Sequence, residues 1–175
     1  MAKQYLVIRD VDPRNLIFLN FSGNDDGNNN QGKRTFAVEL LDMDLAWALA
    51  NDGYNVKIMD EAAGKRVRLA VAKQPSGLPF LPIEVSYRKY SPNIAVKSNG
   101  VVTQFKEDMI SQLDNAEFLA INKITVDPSY WENTTGSGIK AYLNELFVTL
   151  ADRDPRDLEF YGIAGSDEEL PFDEY

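Results

Sequence analysis

Cysteine and histidine are both absent from the 175 residues. Their absence removes disulfides, thiolate nucleophiles, the usual zinc sites and the side chain that most often moves protons near neutral pH. Any catalysis would have to rest on Asp, Glu, Lys, Ser, Thr or Tyr, which leaves carboxylate-bound magnesium as the main device. Also missing is any apolar run near the ~20 residues that a membrane-crossing helix requires, and no repeat at a fixed period is present. The opening Met1-Ala2-Lys3-Gln4-Tyr5 leads directly into a strand-like stretch, without the apolar core of a secretory signal. These absences predict a soluble, cytoplasmic protein with no membrane partner, no metal and no cofactor.

What is present is enough for one folded domain: 44% of residues are hydrophobic and 11% aromatic, in a chain long enough to bury a core. The net charge of −9 argues at first against a polyanionic partner, because phosphate binding needs Lys and Arg. Its distribution reverses that reading. Residues 151–175 hold nine acids against two bases, so residues 1–150 are close to neutral. Between Lys57 and Lys97 the balance turns positive, with eight bases against three acids.

Strand-like segments are predicted at residues 5–9, 16–21, 35–40, 55–59, 67–72, 81–90, 94–97, 101–105, 117–126 and 139–150. The turn signal Asp12-Pro13-Arg14-Asn15 makes the first two a hairpin or a bent meander. Residues 22–32, rich in Asn, Asp and Gly, have nothing to pack and read as a mobile loop. One helix is predicted from about Asp42, with Met43, Ala46, Trp47 and Ala50 at helical spacing and Gly53 as a left-handed C-cap. A short helical turn is expected around Met109 to Leu113, and a Gly/Ser/Thr/Asn-rich loop between the last two strands. The pattern is that of a mainly β protein, with residues 1–150 as the domain and 151–175 as an acidic, disordered tail.

Gly27-Asn28-Asn29-Asn30-Gln31-Gly32-Lys33 satisfies most of a phosphate-cradling loop. Arg34 then stands where a magnesium-binding Ser or Thr is needed, and the segment after it is strand-like, so the stretch reads as a connector. The acidic pairs Asp10/Asp12, Asp42/Asp44 and Asp152/Asp154 are the only hints of a two-metal nuclease. Turn, cap and tail positions explain each of them.

Proteins that hold single strands combine cations for phosphate with rings on which bases stack. Ser86-Tyr87-Arg88-Lys89-Tyr90, read as a strand, offers one ring and one cation on either face. Lys33, Arg34 and Phe36, then Tyr54 and Lys57, then Tyr130, Trp131, Lys140 and Tyr142 repeat the combination. Core packing is the expectation for Phe18, Trp47, Phe118 and Phe147; solvent-facing stacking is the expectation for Tyr54, Tyr90 and Trp131. Phosphate contact is assigned to Lys33, Arg34, Lys57, Arg88, Lys89 and Lys140. In the tail, Asp167, Glu168 and Glu169 precede an apolar hook of Leu170, Pro171 and Phe172, a composition suited to a basic, apolar pocket in a partner.

These stretches also carry a resemblance. Asn20-Phe21-Ser22-Gly23, Lys33-Arg34-Thr35-Phe36, Asp52-Gly53-Tyr54-Asn55-Val56-Lys57, Tyr130-Trp131, Gly138-Ile139-Lys140-Ala141-Tyr142-Leu143 and Phe147-Val148-Thr149 occur in the order and approximate spacing that resemble phage-encoded single-stranded DNA-binding proteins. The tail resembles the acidic tip of bacterial single-strand binding proteins, although there the Phe ends the chain and here Asp173-Glu174-Tyr175 follow. The resemblance implies an OB-like, five-stranded, elaborated barrel with one main helix. It also implies sequence-tolerant binding of single-stranded DNA in replication or recombination, with phage or host replication proteins recruited by the tail in the host cytoplasm. Self-association is left open. A magnesium-dependent nuclease and a phage interaction protein without DNA affinity are the competing readings.

Overall fold

The computed structural model describes residues 4–24, 32–88 and 91–152. Lys89, Tyr90, most of the Asn/Gly-rich loop and the tail, including Asp167 to Phe172, lie outside the described residues. The elements in chain order are β1 (Leu6–Val11), β2 (Leu16–Asn20), β3 (Arg34–Glu39), α1 (Met43–Asp52), β4 (Lys57–Asp60), β5 (Lys65–Arg68), β6 (Pro75–Val85), β7 (Asn93–Ser98), β8 (Val101–Phe105), β9 (Phe118–Asn133) and β10 (Gly136–Leu150). No helix among them is long and apolar enough to cross a membrane.

All the strands join one sheet, in the order β1-β9-β10-β6-β3-β2, with β4 and β5 attached to β6 and with β7 and β8 attached to β10. The sheet curls into a half-barrel of the OB-like class, mainly β with one main helix as the sequence predicts, and the elaboration brings it to ten strands among the described residues. Its inner face supplies most of the core: Phe36 and Val38 from β3, Leu81 and Ile83 from β6, Ile124 and Val126 from β9, Leu143 and Leu146 from β10. Ala46 and Leu49 of α1, with Ile110 and Leu113 of a short 3-10 segment, pack against that core.

The helix forms where its caps demand. The Asp42 carboxylate accepts from the backbone N–H of Asp44 and Leu45, and Gly53 takes the left-handed conformation (φ 113°) that ends it. Its buried stripe is Ala46 and Leu49, whereas Met43 and Trp47 stand exposed, Trp47 at 41%. Trp47 is therefore not the core residue its spacing suggests, because the stripe is rotated toward the smaller side chains.

Four further expectations are corrected. First, β1 and β2 are not a hairpin. Asp12 accepts from Arg14 N (2.9 Å) and folds Pro13–Asn15 into a 3-10 turn, after which β1 pairs with β9 and β2 with β3, at opposite ends of the sheet path. A turn signal marks a change of direction, not the neighbour a strand takes. Second, the segment predicted at 81–90 is the end of a longer strand, β6, that stops at Val85; Tyr87 and Arg88 lie in a turn, so strand alternation does not apply to them. Third, only the first part of the 67–72 segment is strand, and Leu69–Val71 is a 3-10 turn. Fourth, the loop expected between the last two strands is itself strand. β9 and β10 pair from Leu150↔Phe118 up to Gly136↔Asn133, leaving only Thr134 and Thr135 between them. Asn133 Oδ1 closes that turn by accepting from Thr135 N (2.9 Å), Thr135 Oγ1 (2.6 Å) and Gly136 N (3.1 Å).

Candidate nucleic-acid interface

Side chains alternate between the faces of a strand, and residues paired across a ladder share a face. The pairs Gly138↔Trp131, Lys140↔Ser129 and Tyr142↔Asp127 therefore put Trp131, Lys140 and Tyr142 on one face of the β9–β10 arm. Tyr142↔Glu84 carries that face onto β6, and Thr35↔Glu84 carries it onto β3. Lys57↔Phe80 extends it to β4, and Lys57↔Arg68 with Met59↔Arg66 to β5. The core occupies the opposite face, through pairs such as Phe36↔Ile83 and Leu143↔Val126. One sheet face thus carries Trp131, Lys140, Lys57, Arg66 and Arg68, and none of them has to support the core.

A cleft of about 120 Å³ opens on this face where β10 and β4 part along the edge of β6, and Lys33, Thr35, Asn55, Pro82, Glu84 and Lys140 are among its lining residues. Glu84 is the acid in its middle. Lys140 Nζ lies 2.7 Å and Lys33 Nζ 3.8 Å from Glu84 Oε1, and the Lys140 ammonium sits 5.4 Å from the centre of the Tyr142 ring. Burial works to lower the Lys140 pKa, but the hydrogen bond and charge of Glu84, with Tyr142 beside it, outweigh burial and raise it. The ammonium is held charged, next to an anion that a phosphate could replace.

At the outer end of the face the Trp131 indole, 43% exposed, lies against the backbone of β10. Gly138 makes that approach workable: a Cβ there would meet the ring at 3.0 Å and the Gly53 carbonyl at 3.1 Å. That carbonyl accepts from Ile139 N (2.8 Å), which ties the C-terminal turn of α1 to the start of β10. Tyr54 bridges to Ile139, and Ile139 pairs with Tyr130, so Tyr54 and the 79%-exposed Tyr130 stand on the opposite face of the arm from Trp131. The Tyr54 hydroxyl is pushed to higher pKa by burial first, then by Tyr130, Asp52 and Asp127.

The remaining candidates divide. Lys33, Lys57, Lys140 and Trp131 share the face described above. Arg34, one residue on from Lys33, turns the other way: its Nε donates to the Phe21 carbonyl (3.1 Å), its Nη1 pairs with Glu107 (2.8 Å), and its guanidinium lies 5.7 Å from the Tyr87 ring centre. Phe36 is corrected outright as a stacking ring. It is 1% exposed and stacks on Phe21 at 5.2 Å between centroids, so it is core. Arg88 is exposed in the turn after β6, away from any strand ladder.

Two residues that the sequence reading did not select, Phe18 and Arg66, meet on the same side of the sheet. Phe18, expected in the core, is 51% exposed on the Lys57 side, edge-on to Phe80 at 5.3 Å. Arg66 covers it, with the guanidinium carbon 4.5 Å from the ring centre. A register shift in β2 between Ile17 and Asn20 re-aims the ring, and no residue type in the sequence announces it.

The acidic pairs have structural duties. Asp12 caps its turn, Asp42 caps α1, and Asp152 Oδ1 accepts from Asn99 N (2.9 Å). The described residues gather no group of three or more carboxylates that could hold a metal ion.

No curated protein matches the chain. Among solved structures it is similar to the single-stranded DNA-binding protein from bacteriophage Enc34 in complex with ssDNA, at 13% identity and a TM-score of 0.47, with 86% of this chain and 89% of that chain covered. Residues 2–170 match the family described as "Putative phage ssDNA-binding domain". With that match running over nearly the whole sequence, the chain belongs to the phage single-stranded DNA-binding domain family.

Proposed function

We propose that this chain binds single-stranded DNA with little sequence preference and without catalysis, protecting unpaired DNA during replication or recombination of a phage genome. The observation that carries the proposal is the division of the sheet: the core lies on one face, while Trp131, Lys140, Lys57, Arg66 and Arg68 share the other. Rings that accept any base and cations that accept any phosphate give affinity without reading sequence. Lys33 and Lys140 contact phosphate once it replaces Glu84, Lys57 adds a third contact, and Trp131 stacks on a base. Arg88, exposed in the turn after β6, adds a phosphate contact; Lys89 and Tyr90 are assigned to phosphate and base by residue type alone, and Tyr54 serves a base that wraps the edge of the arm.

The division of labour proposed for the chain is binding by residues 1–150 and recruitment by residues 151–175. The acids Asp167, Glu168 and Glu169 attract a basic pocket in a replication or recombination protein, and Leu170, Pro171 and Phe172 fill it. The same polyanion competes with DNA for the basic face when no partner is present.

Incubating end-labelled single strands with the protein and magnesium tests the first reading. Retention without cleavage supports it, cleavage replaces it with a nuclease, and no retention leaves an interaction protein. Deleting residues 166–175 tests the second: binding should tighten, most at low salt, and association with replication proteins should be lost. Unchanged behaviour in both assays reduces the tail to a solubility device.

A further inference from the structure

The geometry points to a second nucleobase-stacking position at the far end of the proposed face, formed by Phe18 with Arg66 over it; it rests on the single-strand reading above and extends its path. Phe18 has a left-handed backbone (φ 54°), which a bulky aromatic residue adopts only under constraint from its surroundings. Strict alternation from buried Leu16 would send its ring into the core. The register shift between Ile17 and Asn20 turns it outward instead, leaving a large apolar ring half in solvent on a strained residue. Bulges that re-aim one side chain recur beside functional sites.

The surroundings of the ring specify its ligand. Phe80 meets Phe18 at an interplanar angle of 74° and braces it from the sheet. Arg66, on the exposed β4–β5 hairpin, occupies one face of the ring at the distance of a cation–π contact. Lys57, Lys65 and Arg68 belong to the same hairpin, so the position is apolar at its centre and cationic around it. That combination matches a nucleotide, with a flat base on the ring and a phosphate beside it. A base on Phe18 replaces an exposed cation–π contact with a stronger stack, and the released guanidinium pairs with the neighbouring phosphate. Arg66 thereby acts as a cover in the free protein and as a phosphate ligand in the complex. Phe80 pairs with Lys57 on the face that carries Glu84 and Lys140, so a strand leaving the cleft along β6 reaches Phe18 without crossing to the other side of the sheet.

The experiment uses the full chain and oligo-dT of increasing length in fluorescence anisotropy, with Trp131→Ala as a reference. Phe18→Leu keeps the apolar contact with Phe80 but removes the stacking ring. Arg66→Gln removes the charge from an exposed site and keeps the assay decisive if Phe18→Leu does not fold. Phe18→Leu should weaken binding roughly five-fold or more on long oligonucleotides and much less on the shortest that still bind. Arg66→Gln should lower the slope of log affinity against log salt by about 0.7. If both variants bind like the parent at all lengths and salts while Trp131→Ala is weakened, the Phe18 position is overturned and the rest of the face stands. If the parent itself retains no single strand, both readings fall together.

Discussion

Lys140 Nζ lies 2.7 Å from Glu84 Oε1, across the one point where β10 and β6 pair in register. An anion thus already occupies the place where a phosphate would neutralise the cleft. Replacing it by Glu84→Gln frees Lys140 and Lys33 from a competing charge. Single-strand affinity should rise, most at low salt, and titrating the protein with oligo-dT at several salt concentrations measures it. The substitution should also remove the upward shift of the Lys140 pKa. A raised lysine pKa contributes stability that is fully present below the ordinary lysine value, near ~10.4, and lost as pH climbs through the raised value. Glu84→Gln should accordingly flatten the alkaline limb of the stability profile.

Trp131 is half in solvent and carries no core contact that Ala would leave empty. Trp131→Ala should weaken single-strand binding by about 1 to 3 kcal/mol, or roughly 5- to 150-fold, while the thermal midpoint stays near that of the parent. Anisotropy and calorimetry on the same preparation separate the two.

Gly138→Ala puts a methyl group 3.0 Å from the indole and 3.1 Å from the Gly53 carbonyl, and the carbonyl is backbone with little room to move. The indole should be displaced and the Gly53–Ile139 hydrogen bond strained, at about 1 to 3 kcal/mol of stability. Tryptophan emission should shift and DNA binding should fall together.

Phe36→Ala should behave in the opposite manner to Trp131→Ala. Removing a fully buried ring stacked on Phe21 costs about 3 to 5 kcal/mol, so the loss should appear in urea unfolding before any effect on DNA can be measured.

Asp60 holds the base of the β4–β5 hairpin. Its carboxylate accepts from Gln74 N (2.7 Å), Ala62 N (3.2 Å) and Lys73 N (3.3 Å), and these bonds, Gln74 first, hold its pKa below the usual carboxylate value. A depressed pKa contributes stability that is present above the unfolded value, about 3.9, and lost as pH falls through the folded one. Amide exchange at Ala62, Lys73 and Gln74 should accelerate in that acid window, and in Asp60→Asn it should be fast with no comparable acid step.

The parts of the fold legible in the sequence were those set by local chemistry. Asp42 and Gly53 mark α1 because capping involves only neighbouring backbone groups. Strand positions were visible wherever β-branched and aromatic residues cluster, as in β3, β7 and β8. Of the proposed site, Lys33, Lys57, Trp131 and Lys140 were selected by residue type, because rings and cations suit a nucleotide, and the structure puts them on one face of the sheet. Phe36 was misread by the same rule, because a ring looks alike in a core and on a surface.

The amino-acid sequence by itself determined the chemical means: no thiol or imidazole for catalysis, an acidic end, a basic middle, and rings set among cations. Which of those groups meet was decided only by tertiary structure. Period-two alternation sorts side chains into two faces, but the strand partners and the bulge in β2 assign each face to core or solvent. Those depend on pairings between residues far apart in the chain, such as Tyr142 with Glu84, that no local pattern encodes.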